Sequence, residues 1–311
     1  MERLNASIAL MGCSMTFSCY CSIADAKQEN LAENTVDDDR LLRLIRQFTS
    51  RINTKFKAFG TSLFVPVIDT RSIGLYPGNI SSWNRTLTLS TYGAGVSPLL
   101  ELTAVSSNNQ ALVIGTSVQT YPAAPAPWYA LQLMGDTWTS WYNAACNPST
   151  WGIQNATVTG VWGYNTDYAH AWLEVDALAA AIVSTTTTTF TVANVDGDNP
   201  LGEAPRISAG NVVQIDDEWM DVIATDITTN TVTVVRGVNG STAATHLISV
   251  PVSVYMVDES IRRATARQAA FLYSRQGAFD TARIDGVGVV QYPQDMPQEI
   301  SALLSLFANM G

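Results

Sequence analysis

From Asp37 to Phe59 the apolar positions recur at helical spacing. Leu41, Ile45, Phe48, Ile52 and Phe56 step by four, three, four and four, so they share one stripe. Asp37, Asp38 and Asp39 open this segment and Arg51, Lys55 and Lys57 close it, each sign favourable at its end of the helix dipole. A shorter helix is expected from Ser22 to Glu29, with Ser22 as its cap. From Ser62 to Tyr164 the period changes. TLTLSTY, LLELTAVSS, ALVIGTSVQ and ATVTGVWGY mix alternation with β-branched and aromatic residues between Pro, Gly and Asn, which predicts an antiparallel meander. The stretch ending YALQL at Leu133 reads as another strand, and VDALAAAI (Val175–Ile182) as a short helix or a linker.

Residues 182–257 read as a small β-module spliced into an older domain. Val213, Ile215 and Trp219 alternate around the acidic turn Asp216–Asp217–Glu218, and Val232 and Val234 alternate before the turn glycines Gly237 and Gly240. That many short strands predicts a barrel or sandwich. Asp258 then caps a helix running to Gln276. Ile261, Thr265, Gln268 and Leu272 line one of its sides, while Arg262, Arg263, Arg267 and Arg275 lie elsewhere. Pro297 opens a last helix whose apolar stripe is Ile300, Leu303, Leu304 and Phe307. The expected fold class is α+β: a helical core with an antiparallel β-rich region and an inserted small β-barrel or sandwich. The expected division is an N-terminal segment (1–36), a domain made of 37–181 and 258–311, and the module 182–257.

Composition narrows the reading. Only 14% of the 311 residues are charged and 47% are apolar, as expected where neighbouring copies cover part of a surface, although a Thr/Ser/Asn-rich surface gives similar figures. The net charge of −10 argues against a general nucleic-acid binder. It is compatible with a ring through which DNA slides without sticking. No apolar run reaches about 18–20 residues, so no membrane partner is expected. Cys13, Cys19, Cys21 and Cys146 show no zinc-ligand spacing and read as free thiols of a reducing cytoplasm. SIALMGC (Ser7–Cys13) has the look of a lipoprotein cleavage site, and Met15 is an alternative start.

Candidate chemistry is sparse. His170 and His246 fall in loops without a nucleophile motif such as G-x-S-x-G. DGDNPLGE (Asp196–Glu203) lacks the ligand order of a calcium loop, and Asp216, Asp217 and Glu218 read as a solvated hairpin turn. Trp128, Trp138, Trp141, Trp151, Trp162 and Trp172, with several tyrosines, suit either inter-subunit packing or a sugar-stacking platform. The arginines after Asp258 suit phosphates or the acidic patches of a neighbouring copy, and the net charge favours the second. No catalytic, cofactor or metal site is expected.

The order of these pieces resembles the head–tail connector (adaptor) proteins of tailed bacteriophages. The carriers are Tyr20–Cys21–Ser22 with Ala24, Asp25 and Lys27, then Asp38 to Ile45, Trp128–Tyr129 through Leu133, VTGVWGY (Val158–Tyr164), IRRATARQAAFLYSRQ, and Pro297 to Leu304. The inserted module is similar to a β-barrel found repeatedly in phage particle proteins. Its signature falls on Gly210, Val213, Ile215, Asp216, Glu218, Met220 and Val222, then Arg236–Gly237, Asn239–Gly240, Ala243, Ala244 and His246. The resemblance implies a non-enzymatic virion protein at the head–tail junction, assembled in the host cytoplasm. It would form a homo-oligomeric ring of about twelve copies under the portal that meets stopper or tail proteins and lets genomic DNA pass. Ile300, Leu303, Leu304 and Phe307 are then candidates for portal contact, and Arg262, Arg263, Arg267, Arg275, Trp162 and Tyr164 for inter-subunit contact. The alternative is a carbohydrate-binding or host-attachment surface module.

Overall fold

The computed structural model describes residues 18–29, 37–56, 63–91, 95–96, 98–107, 110–146, 155–274 and 298–305. Helix α1 (Ile23–Gln28) starts at a capping box in which Ser22 and Asp25 each bond the other's backbone N–H. Helix α2 (Asp38–Lys55) is capped by the Asp37 carboxylate. It buries Leu41, Leu42, Ile45, Phe48 and Ile52, so the helical stripe in the sequence is the face that meets the core. Helix α4 (Glu259–Ser274) packs against α1 and α2, and α5 (Gln298–Ser305) packs against α4.

The regular structure of the remaining described chain is almost all β. Strands β1 (Val67–Gly74), β10 (Asn155–Trp162), β6 (Leu99–Ser107) and β7 (Gln110–Leu112) form one antiparallel sheet in that order. Strands β2 (Ile80–Ser81), β3 (Thr86–Thr88), β9 (Ala130–Leu133) and β8 (Val118–Tyr121) form a second, and β4 (Ser90–Thr91) pairs with β5 (Gly95–Val96). These sheets enclose a core of their own around Leu87, Leu99, Leu131 and Trp162. Helix α3 (Gly135–Cys146) follows β9 directly.

The third body is a six-stranded antiparallel sheet. Its order is β11 (Trp172–Ala177), β16 (Pro251–Tyr255), β13 (Val212–Ile215), β14 (Glu218–Asp226), β15 (Thr231–Val235) and β12 (Thr189–Thr191). Its two edges meet where Leu178 bridges Val192 and the Ala179 N–H donates to Thr191 O, closing the sheet into a barrel. Val213, Ile215, Met220, Val222, Val232 and Val252 fill the interior.

The expected α+β class with a helical core is therefore corrected: the described chain is mostly β, with five short helices, of which α3 packs on the smaller sheets and the other four pack together. The longest helix has 18 residues, while β-branched alternation runs through both sheet-forming regions. The barrel also begins at Trp172, ahead of residue 182, because β11 pairs with β16 rather than forming the short helix or linker read from VDALAAAI.

Candidate functional site

The densest polar constellation is built by the barrel's own turns. Ile215 and Glu218 pair across the turn between β13 and β14, with Asp216 in the left-handed region at φ +50°. Strand alternation sends Glu218 inward, where its side chain is fully buried. Its two oxygens accept from Arg236 Nε at 2.8 Å, a second guanidinium N–H, Gly237 N at 3.2 Å, Ala244 N at 2.9 Å and His246 Nε2 at 2.9 Å. Burial pushes the Glu218 carboxyl up, but the bonds from Arg236, Ala244 and His246 outweigh it and hold the carboxyl below its ordinary range. The other ring nitrogen of His246 meets Asp216 at 2.8 Å, and Arg236 also donates to Ser184 O at 2.8 Å. One carboxylate thus ties the β13–β14 turn to two points along the connection between β15 and β16, and Arg236 carries the link on to Ser184. With five donors on its two oxygens, Glu218 has little capacity left for a substrate.

A second polar cluster joins the barrel to the helices. Ser18 Oγ donates to Asp221 at 2.6 Å and accepts from Asn239 Nδ2 at 2.9 Å. Burial pushes the Asp221 carboxyl up from 3.8 to about 6, against the opposing pull of the Ser18 bond and the Arg46 charge. Ile23 N donates to Ala209 O at 2.8 Å. Arg262 reaches Glu203 at 2.9 Å, Glu259 at 2.8 Å and Asp25 at 3.5 Å, and Lys27 reaches Asp38 at 2.7 Å. Cys19 and Cys21 are free and buried here, and burial lifts the Cys19 thiol to about 12, so it is a packing group rather than a nucleophile.

Two glycines of the barrel signature sit at this seam. A Cβ on Gly240 (φ +84°) would lie 2.0 Å from Ile68 O, and one on Gly210 (φ +98°) would lie 2.7 Å from Cys21 O. Beside them Trp172 stacks on Trp219 and Tyr255, and Leu100, Val161, Trp219 and Val238 form a small apolar cluster.

The structure scatters the residues singled out from sequence. Arg262 and Arg267 are held intramolecularly, the latter by Glu29 at 3.1 Å, while Arg263 is exposed. Trp162 is buried, donates to Asp69 O at 3.0 Å and carries the Arg71 guanidinium 4.5 Å from its ring centroid. Tyr164 packs edge-on against Phe64. Ile300 and Leu304 are buried in the core formed with Phe48, Ile52 and Ile261, and Leu303 is half-buried against it. Arg275 and Phe307 lie outside the described residues. In the Asp196–Glu203 loop, Asn199 Oδ1 accepts from Leu201 N and Glu203 N, and among the described residues no group of carboxylates, His or Cys is arranged to hold a metal.

Sequence reasoning missed the union of His246 with the acidic turn: both belong to the barrel signature, but 28 residues separate His246 from Glu218, and the turn reads as solvated whereas the Glu218 side chain is fully buried. It also missed the Ser18–Asp221 contact, which bridges 203 residues. Compared with protein-family models, curated proteins and solved structures, the chain matches none.

Proposed function

We propose that this chain is a structural virion protein of the bacteriophage neck, one copy of an adaptor ring that continues the DNA channel between the portal and the tail or stopper. One observation carries the reading: the N-terminal, α2, Tyr164, α4 and α5 segments that bear the resemblance converge, while Trp128 to Leu133 packs in the separate core of the two smaller sheets. Tyr20 bonds Asn53 of α2 and Leu63 N, Asp25 and Lys27 pair with Arg262 and Asp38, and Tyr164 and Ile300 complete the same core. These motifs, dispersed along the chain, thus meet in one joint. That is the economy of a building element, whose polar residues fix geometry rather than meet a substrate.

An apolar end suits contact with other copies. Trp83 is 96% exposed at the turn between β2 and β3, and Val113 and Ile114 are exposed between β7 and β8. Both turns lie beside the Leu133–Met134 end of β9, because Leu133 N bonds Arg85 O and Met134 N bonds Ser117 O. Clustered exposed apolar groups of this kind mark protein contacts.

The reading is tested by co-expressing the tagged full chain with the portal protein of the same phage and weighing the purified product by light scattering. A ring-sized complex containing both is expected. A chain that elutes alone at its 33.6 kDa mass and binds immobilised glycans instead contradicts the reading and supports attachment.

A further inference from the structure

We propose that the outward face of α2 is a docking stripe for the phosphate backbone of duplex DNA, contacted by Arg40, Arg43, Arg51 and Lys55. The inference deepens the neck reading and rests on it for where such DNA is met. All four residues are exposed, and at 3.6 residues per turn they fall within one sector of roughly 120°, spanning about 22 Å along the axis. The same helix buries Leu41, Leu42, Ile45, Phe48, Thr49, Ile52 and Asn53 on a separate sector that begins next to Lys55 and extends away from the basic one. Gln47, Ser50 and Thr54 fill the gaps in the basic sector and are exposed as well. Among the described residues no salt bridge neutralises any of the four cations. Arg46 is set apart because it turns toward Cys19 and Asp221.

The chemistry of the stripe selects the partner. Leu44, the one apolar residue in this sector, is half-buried against the cluster of Leu41, Leu42 and Ile45, so the stripe offers no fully exposed aliphatic or aromatic anchor, and protein interfaces are built around such anchors with charge depleted at the centre. Arginine and lysine interleaved with Gln, Ser and Thr is the donor set that positions proteins on phosphates. The net charge of −10 does not oppose this locally. Residues 172–257 hold ten carboxylates against two arginines, so the acidic balance resides in the barrel. Its repulsion is screened beyond about 8–10 Å in ordinary salt.

The test is fluorescence anisotropy of a short mixed-sequence duplex with the full chain, from about 50 to about 200 mM salt. Four phosphate contacts give a log–log slope of about −3.6, or roughly a 150-fold loss of affinity over that range. The double variant Arg43→Glu/Arg51→Glu should bind at least about tenfold more weakly with the slope near −1.8. Arg85→Glu, at an exposed position on another element, should bind like the parent. Unchanged melting temperatures show that each variant is folded. Absence of binding by the parent, or equal binding by the double variant, overturns the proposal. So does a parent that ignores DNA but self-associates, with the reversals abolishing that association, since the stripe would then meet the acidic barrel of another copy. Localisation of the chain away from the head–tail junction would break the neck reading while leaving the anisotropy result standing, so the two failures are distinguishable.

Discussion

Asp221 is one of two buried carboxyls that give this fold opposing pH responses. The folded chain holds its proton more tightly than the unfolded chain does, since burial raises it from 3.8 to about 6. Its stabilising contribution is therefore complete below about pH 4 and is lost as the pH climbs through about 6. Asp221→Asn, which keeps the acceptor for Ser18, should raise stability at pH 7.5 by on the order of 2 kcal/mol and change little at pH 4. Urea denaturation at both values checks this, and an equal effect at the two would refute it. Glu218 has the opposite sign: its lowered carboxyl contributes stability above its ordinary range, which is lost on acidification. Arg236→Ala leaves that carboxylate buried without its main partner and should cost about 3 kcal/mol or more. A loss below 1 kcal/mol in denaturant titration would count against the cluster as the barrel's keystone. Neither role was legible in the sequence. Glu218 and His246 were visible as residue types, but their meeting depends on where β14 and the loop before β16 end in space.

At the level of elements, legibility followed the strength of the local period. The stripe of α2 and the Ser22 cap of α1 are locally encoded, and the structure places them where the pattern does. Helix α3 was not foreseen, because GDTWTSWYNAAC is rich in Thr and aromatic residues whose propensity points to strands. The apolar run VDALAAAI lacks a decisive period; its start, to Ala177, is drawn into β11 by pairing with β16, and the rest carries isolated bridges. Helix α5 shows the limit of reading function from amphipathicity. Its stripe suits either an internal core or a partner, and Ile300 and Leu304 are buried internally. Ile300→Ala should therefore cost about 2–4 kcal/mol of stability in the isolated chain. A variant as stable as the parent would instead mean that the stripe serves a partner.

Across the whole molecule, three bodies share one seam, and the barrel's glycines are what let it close. Gly240→Ala drives a Cβ into Ile68 O at a positive φ, and should destabilise by about 2 kcal/mol or more while leaving the barrel core intact. Thermal melting followed by tryptophan fluorescence reads this through Trp172 and Trp219. Such a seam was beyond sequence reading, since its contacts join Ser18, Ile68 and Cys21 to residues far along the chain. The order of the motifs was legible; their convergence was not. The neck proposal rests on that convergence, and its most direct test is antibody–gold electron microscopy of intact particles with serum against the folded chain. Gold confined to the head–tail junction is the expected result. Gold on peripheral fibres, or particles that carry none, would contradict it.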